Sequence, residues 1–176
     1  MFVRTLSLFV LFASSSVAAL AGQVEVTGVH LCCGACTTAV AKALSEVEGV
    51  SNVTSDRETK TIRYTAADDT AAAVGIEALA TAGFHGTAKH DDKAADFPAS
   101  GAKEGAKASR IKISNVHLCC AACVKAADAA VRKVDGVSNV TADRDASSLE
   151  ITGDNVSVES VVAALNGAGF HATVEQ

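Results

Sequence analysis

The 176-residue sequence predicts an α+β protein made of two copies of one βαββαβ unit. Three observations predict it. VHLCCGAC at Val29–Cys36 returns as VHLCCAAC at Val116–Cys123, and GVSNVTSDR at Gly49–Arg57 returns as GVSNVTADR at Gly136–Arg144, both at an offset of 87. AGFH at Ala82–His85 recurs at an offset of 86, so one residue is lost in between, in the loop after the third strand. Within each copy the apolar period switches from two to helical spacing and back, twice.

The elements follow in order. Val24 and Val26 alternate with polar neighbours, as do Ile111 and Ile113, which predicts a first strand. Val40, Ala43, Leu44 and Val47 then recur on one helical stripe, mirrored by Ala127, Ala130, Val131 and Val134, with the helices ending at Gly49 and Gly136. Second and third strands are expected at Val50–Ser55 and Thr61–Thr65, and at Val137–Ala142 and Ser148–Thr152. Val158, Val161, Val162 and Leu165 mark a second helix, and Gly83 and Gly169 stop this helix in the two copies. Last strands are expected at Gly86–Lys89 and Ala172–Glu175. The order is the ferredoxin-like one, two helices on one face of a four-stranded antiparallel sheet. Units this small, with helices rich in Ala, predict modest stability that rises when a ligand binds the native state.

The ends of the repeats divide the chain. Residues 1–21 hold one cation, Arg4, an apolar stretch from Leu6 to Leu20 broken by Ser14, Ser15 and Ser16, and small residues near Ala18 and Ala21. That is the build of a cleaved secretory signal rather than of a membrane anchor, which needs about 20 apolar residues. The mature chain is therefore expected in the periplasm or secreted, with no stable membrane insertion. The expected organisation is leader 1–21, first unit 22–90, flexible linker 91–109 and second unit 110–176. The linker, DDKAADFPASGAKEGAKAS, is rich in Ala, Lys, Gly and Asp and holds the only proline, Pro98. Without the leader, 14 Lys and Arg face 20 Asp and Glu, a balance that repels phosphate backbones and argues against nucleic acid as a partner.

All six cysteines fall in the two repeated clusters. Each cluster lies where a strand runs into a helix, so Cys36 and Cys123 fall in or near the first helical turn, where unpaired amides and the helix dipole favour a thiolate. Thiolates bind soft or borderline ions: Cu(I), Zn(II), Cd(II) or Hg(II). Cys33 with Cys36, and Cys120 with Cys123, form CxxC pairs whose sulfurs converge on one ion; Cys32 and Cys119 each offer a third sulfur. His30 and His117 are further candidate ligands, or else loop residues that orient the turn through a hydrogen bond. A resting disulfide is the bland alternative, but a CxxC bridge closes too little chain to stabilise a fold. His85 and His171 follow Phe84 and Phe170 and, on a strand, face the other way; Asp56, Arg57, Asp143 and Arg144 read as turn residues.

On these residues each repeat resembles a heavy-metal-associated (HMA) domain, the module of copper chaperones, of the N-terminal arms of metal-pumping ATPases and of periplasmic mercury-binding proteins. The resemblance rests on CxxC, on Val40, Ala43, Leu44 and Val47, on Gly49–Val50, and on AGF ahead of the last strand. It covers nearly the whole mature chain apart from the linker. It implies one soft metal ion per unit, with Leu31 and Leu118 in place of a Met that packs beneath the loop, and Phe84 and Phe170 shielding it. Cys32 and Cys119 depart from the pattern and, with His30 and His117, admit a Cys₃His zinc site as well as Cu(I).

The function so implied is non-enzymatic: an extracytoplasmic protein that buffers a soft ion, or transfers it to a metal transporter or metalloenzyme, by thiolate exchange. A flexible linker of 19 residues would let the two sites pass one ion across a separation of about 25 Å. The alternative is a thiol-disulfide redox protein using the CxxC pairs. The absence of Trp and the confinement of the single Pro to the linker disfavour it.

Overall fold

The computed structural model describes residues 21–175; the expected leader, Ala21 apart, lies outside the described residues. The first repeat runs β1 (Gly22–Thr27), α1 (Gly34–Ser45), β2 (Val50–Asp56), β3 (Thr61–Ala66), α2 (Asp69–Thr81) and β4 (Thr87–His90). A short strand β5 (Lys93–Ala95) follows. The second repeat runs β6 (Lys107–Ser114), α3 (Ala121–Val131), β7 (Val137–Asp143), β8 (Ser148–Ser157), α4 (Val158–Gly167) and β9 (Thr173–Val174). Sheet orders are β2-β3-β1-β4-β5 and β7-β8-β6-β9, all antiparallel, so the fold is the ferredoxin-like one read from the sequence.

Alternation does what the sequence asked of it. Val24 and Val26 of β1 are fully buried between exposed or half-exposed neighbours and pair with Tyr64 and Ile62 of β3, also fully buried. On α1 the buried stripe is Cys36, Val40 and Leu44, and on α3 it is Cys123, Ala127 and Val131, so the second cysteine of each CxxC pair belongs to the core face of its helix. Tyr64 reaches past Gly75, where a Cβ would lie 2.6 Å from the phenol oxygen, and donates to the Ala72 carbonyl at 2.8 Å. The second repeat places Ile151 and Val161, both fully buried, at the corresponding positions.

The structure differs from the expectation in four places. Helices α1 and α3 stop at Ser45 and Val131, about a turn before Gly49 and Gly136. Bonds from Val47 to Leu44 and from Val134 to Val131 tighten the exit, and the glycines at φ 80° and 84° turn the chain into the next strand instead of capping the helix. Strand β8 continues to Ser157 because, beyond a bulge, it pairs with the start of β6 through Lys107 and Ala108. The closing strands are shorter than expected, Thr87–His90 and Thr173–Val174.

The fourth difference is residues 91–109, expected as a flexible linker. Asp91 and Asp92, at φ 47° and 63°, form the two-residue turn of a hairpin, and Lys93–Ala95 add β5 to the edge of the first sheet. Phe97 packs on the His85 ring at 4.5 Å, Val174 donates to the Ser100 carbonyl at 2.8 Å, and Gly105 donates to the Glu159 carboxylate at 2.9 Å. An edge strand is held by backbone bonds that need no apolar side chains, so composition alone concealed it.

The two repeats dock on each other through the turns that end their second helices. Helices α2 and α4 end in the same motif: Gly83 and Gly169, at φ 83° and 87°, donate to Ala80 and Asn166, and Phe84 and Phe170 donate back to Leu79 and Leu165. Each turn then meets the opposite repeat. His30 and His85 donate to the Gly169 carbonyl, each at 3.2 Å, His171 donates to the Gly83 carbonyl at 3.0 Å, and Phe84 and Phe170 form an antiparallel bridge. A Cβ on Gly83 would lie 2.3 Å from the His117 nitrogen, and one on Gly169 would lie 2.3 Å from the His30 nitrogen. His30 stacks on Phe170 at 4.4 Å and His117 on Phe84 at 4.3 Å, one ring from each repeat in both pairs. His85 and His171 stack at 5.8 Å beside Phe97, each with a buried Nδ1 that has no protein partner.

Two predictions follow from this docking. Gly83→Ala and Gly169→Ala each combine a left-handed backbone with a backbone clash and should lower stability by on the order of 1–3 kcal/mol in urea unfolding. Gly34→Ala, which meets open space and copies Ala121, should leave the midpoint nearly unchanged. Equal behaviour of Gly83→Ala and Gly34→Ala would refute the contact. For the histidines, burial and the neighbouring His171 push the His85 pKa down to about 4, and burial lowers that of His171. Such groups are neutral when folded and take up protons on unfolding, so stability is full above the ordinary histidine pKa of about 6.5 and falls as pH drops toward 4. The expected outcome is a steeper loss of stability over that window in the metal-free wild type than in His85→Gln/His171→Gln.

Candidate metal centre

The cysteine loops lead from β1 into α1 and from β6 into α3. Cys33 and Cys120 are the residues that open the helices, both extended, at φ −150° and −151°. Cys36 and Cys123 lie one turn further on, wholly buried, while Cys32, Cys33, Cys119 and Cys120 are half-buried. Leu31 and Leu118 are buried.

All six thiols are unbonded, and they meet. Within the first repeat Cys32 and Cys33 each stand 3.7 Å from Cys36; within the second, Cys119 and Cys120 stand 3.5 and 3.7 Å from Cys123. Between the repeats the spacings are as short: Cys32 to Cys123 3.4 Å, Cys32 to Cys120 3.5 Å, Cys36 to Cys119 3.6 Å and Cys33 to Cys119 3.7 Å. Sulfurs held about 2.3 Å from one tetrahedral ion stand roughly 3.8 Å apart, so these distances are close to those a metal imposes. The six thiols thus form one cluster, because the turns that end α2 and α4 bring the two loops face to face.

The electrostatics divide the thiols. The Cys36 amide beside Cys33 and the Cys123 amide beside Cys120 lower both thiol pKa values, that of Cys120 to about 6. Burial, reinforced by bonds from neighbouring sulfurs, pushes Cys32 and Cys119 up, and burial raises Cys123. The first thiolates therefore form at the two helix starts.

The candidate histidines part company. His30 offers a nitrogen within 4.8 Å of the Cys32 and Cys123 sulfurs; His117 joins no such group among the described residues. Burial lowers both pKa values, and each ring has a buried Nε2 without a protein partner. Phe84 and Phe170 are fully buried, and each stacks on the histidine of the opposite loop.

Sequence reasoning missed Arg57 and Arg144. Asp56 and Asp143 do hold turns, accepting backbone N–H bonds from Glu58 and Thr59 and from Asp145 and Ala146. The arginines instead cross to the loops: Arg57 Nη2 donates to the Cys32 carbonyl at 3.1 Å, Arg144 Nη2 to the Cys119 carbonyl at 2.8 Å, and Arg144 Nε to the Leu118 carbonyl at 3.3 Å. The recurrence of Asp-Arg at the offset of the cysteines was the available signal. The centre is thus framed by two helix N-termini and two guanidinium groups, a setting that favours negative charge.

The N-terminal domain of PacS from Synechocystis PCC6803 is 25% identical, with 39% of this chain and 100% of that one covered, at TM-score 0.37. Oxidized MerP from Ralstonia metallidurans CH34 is 29% identical over 40% and 100%, at TM-score 0.37. The N-terminal soluble domains of Bacillus subtilis CopA are 16% identical over 89% and 95%, at TM-score 0.35. Among curated proteins no significant match was found. Residues 23–85 and 110–171, most of the chain, each match the heavy-metal-associated domain. The chain therefore belongs to the heavy-metal-associated domain family, with two copies of this metal-binding domain in one polypeptide.

Proposed function

We propose that this is an extracytoplasmic protein that binds a soft metal ion and buffers or transfers it by thiolate exchange, without catalysing a reaction. The observation that carries the reading is the convergence of six unbonded thiols at two helix N-termini. The leader-like build of residues 1–21 supports the location, and the all-thiol donor set supports Cu(I), Zn(II), Hg(II) or Cd(II) as cargo. The only Met is Met1, so no thioether site competes in the mature chain.

The chemistry follows the burial. Cys33 and Cys120, half-buried and most easily ionised, take the arriving ion first; Cys36 and Cys123, on the core face, hold it. Release runs in reverse, an incoming thiolate of a metal transporter or metalloenzyme displacing one sulfur at a time. The lowered thiols also favour a second reading, a thiol-disulfide redox protein, which requires reduction or reshuffling of a disulfide substrate at catalytic rates.

The test is anaerobic titration of the reduced mature chain with Cu(I), Zn(II) and Hg(II), each against a competing chelator. Tight binding that disappears in Cys33→Ser/Cys36→Ser/Cys120→Ser/Cys123→Ser is expected, and no tight binding by the reduced protein would sink the metal reading. Arg144→Gln frees the carbonyls of Leu118 and Cys119 and should weaken metal affinity on the order of tenfold at unchanged circular dichroism.

A further inference from the structure

We propose that the two repeats build one polynuclear copper(I)–thiolate cluster with a bridging sulfur framework, in place of two single-ion sites. This rests on the metal-binding reading above and specifies its cargo and stoichiometry.

Eleven of the twelve edges of an octahedron with the six sulfurs at its corners are within 4.8 Å, the twelfth being Cys36 to Cys123. Cys32 neighbours Cys36, Cys120 and Cys123, and Cys119 neighbours Cys33, Cys36 and Cys123, whereas Cys32 and Cys119 make no contact with each other. Of the triangular faces, Cys32–Cys33–Cys120, Cys33–Cys36–Cys119 and Cys119–Cys120–Cys123 each bring their sulfurs within 4.8 Å of one another. Any two of these faces share one corner. The face that would complete the alternating set is Cys32–Cys36–Cys123, whose two edges at Cys32 are 3.7 and 3.4 Å and whose third edge the bound ion would close. Every sulfur then belongs to two of the four faces. An ion seated in each face has three sulfurs, and every thiolate bridges two ions, so no donor is left over and none is missing. Three of the four faces draw sulfurs from both repeats, which single-ion sites confined to one repeat cannot explain. His30 stands by the fourth face, within 4.8 Å of Cys32 and Cys123, as the one donor that is not sulfur.

Charge selects the ion. Four monovalent ions on six thiolates leave a net charge of two negatives, which suits the two helix N-termini and the guanidinium groups of Arg57 and Arg144 on the loops. Divalent ions in the same faces would leave a net positive charge in that setting. A soft monovalent ion that accepts three thiolates is copper(I). Loading replaces the protons on the thiols by copper: four Cu(I) ions leave their donor ligands, each thiol still protonated passes its proton to water, and no electron moves.

The experiment is anaerobic Cu(I) titration of the reduced mature chain, followed by native mass spectrometry and X-ray absorption. Four copper ions per chain, appearing together with little of the one- to three-copper forms, and a copper–copper scattering shell are expected. Cys32→Ser and Cys119→Ser, each removing a corner shared by two faces, should lower the count while leaving the chain folded by circular dichroism. Two coppers per chain bound independently, without copper–copper scattering, would overturn the cluster while leaving the metal-binding function standing. No tight binding of any soft ion would overturn both.

Discussion

The structure depends on one close approach. Gly83 and Gly169 end α2 and α4 with their carbonyls turned outward, and each is met by backbone N–H groups of the opposite repeat. Because neither glycine carries a side chain, the helix ends press directly on the chain that leads into the cysteine loops. The stacked His30–Phe170 and His117–Phe84 pairs fill the space beside these bonds. The geometry of the metal centre is thus set by backbone contacts outside the cysteine motifs.

Within that frame, each loop is built from a division of labour. The helix start ionises one thiol, the core face of the helix buries another, and the third, on the strand side, is raised by burial and held across to the opposite repeat. Arg57 and Arg144 fix the loop backbone from the hairpins after β2 and β7. A metal ion entering such a loop finds its donors already placed, so little ordering remains to oppose binding.

Much of the fold was legible because it is periodic. Val24, Val26, Ile111 and Ile113 alternate, Val40 and Leu44 recur at helical spacing, and the repeat supplied a second copy of every signal. The candidate ligands were legible because cysteine is used nowhere else. What stayed hidden rests on backbone groups or on contacts between repeats. β5 is held by ladder bonds with Ala and Lys side chains that carry no strand signature. Arg57 and Arg144 act across 25 residues through carbonyls, and a glycine that stops a helix looks the same whether or not another chain segment lies against it. Each repeat read singly gives a complete domain, so nothing in it announces a partner surface.

Both loops belong to one polypeptide joined by a segment tied down at β5, Phe97 and Ser100. An assembly of this kind made from separate chains would come apart on dilution, and its capacity for metal would vary with expression level. Here the second half is supplied at a fixed effective concentration by its tether, so the full set of thiols is present in every molecule however scarce the protein. A cell making only a few copies would still have, in each one, a complete receptor.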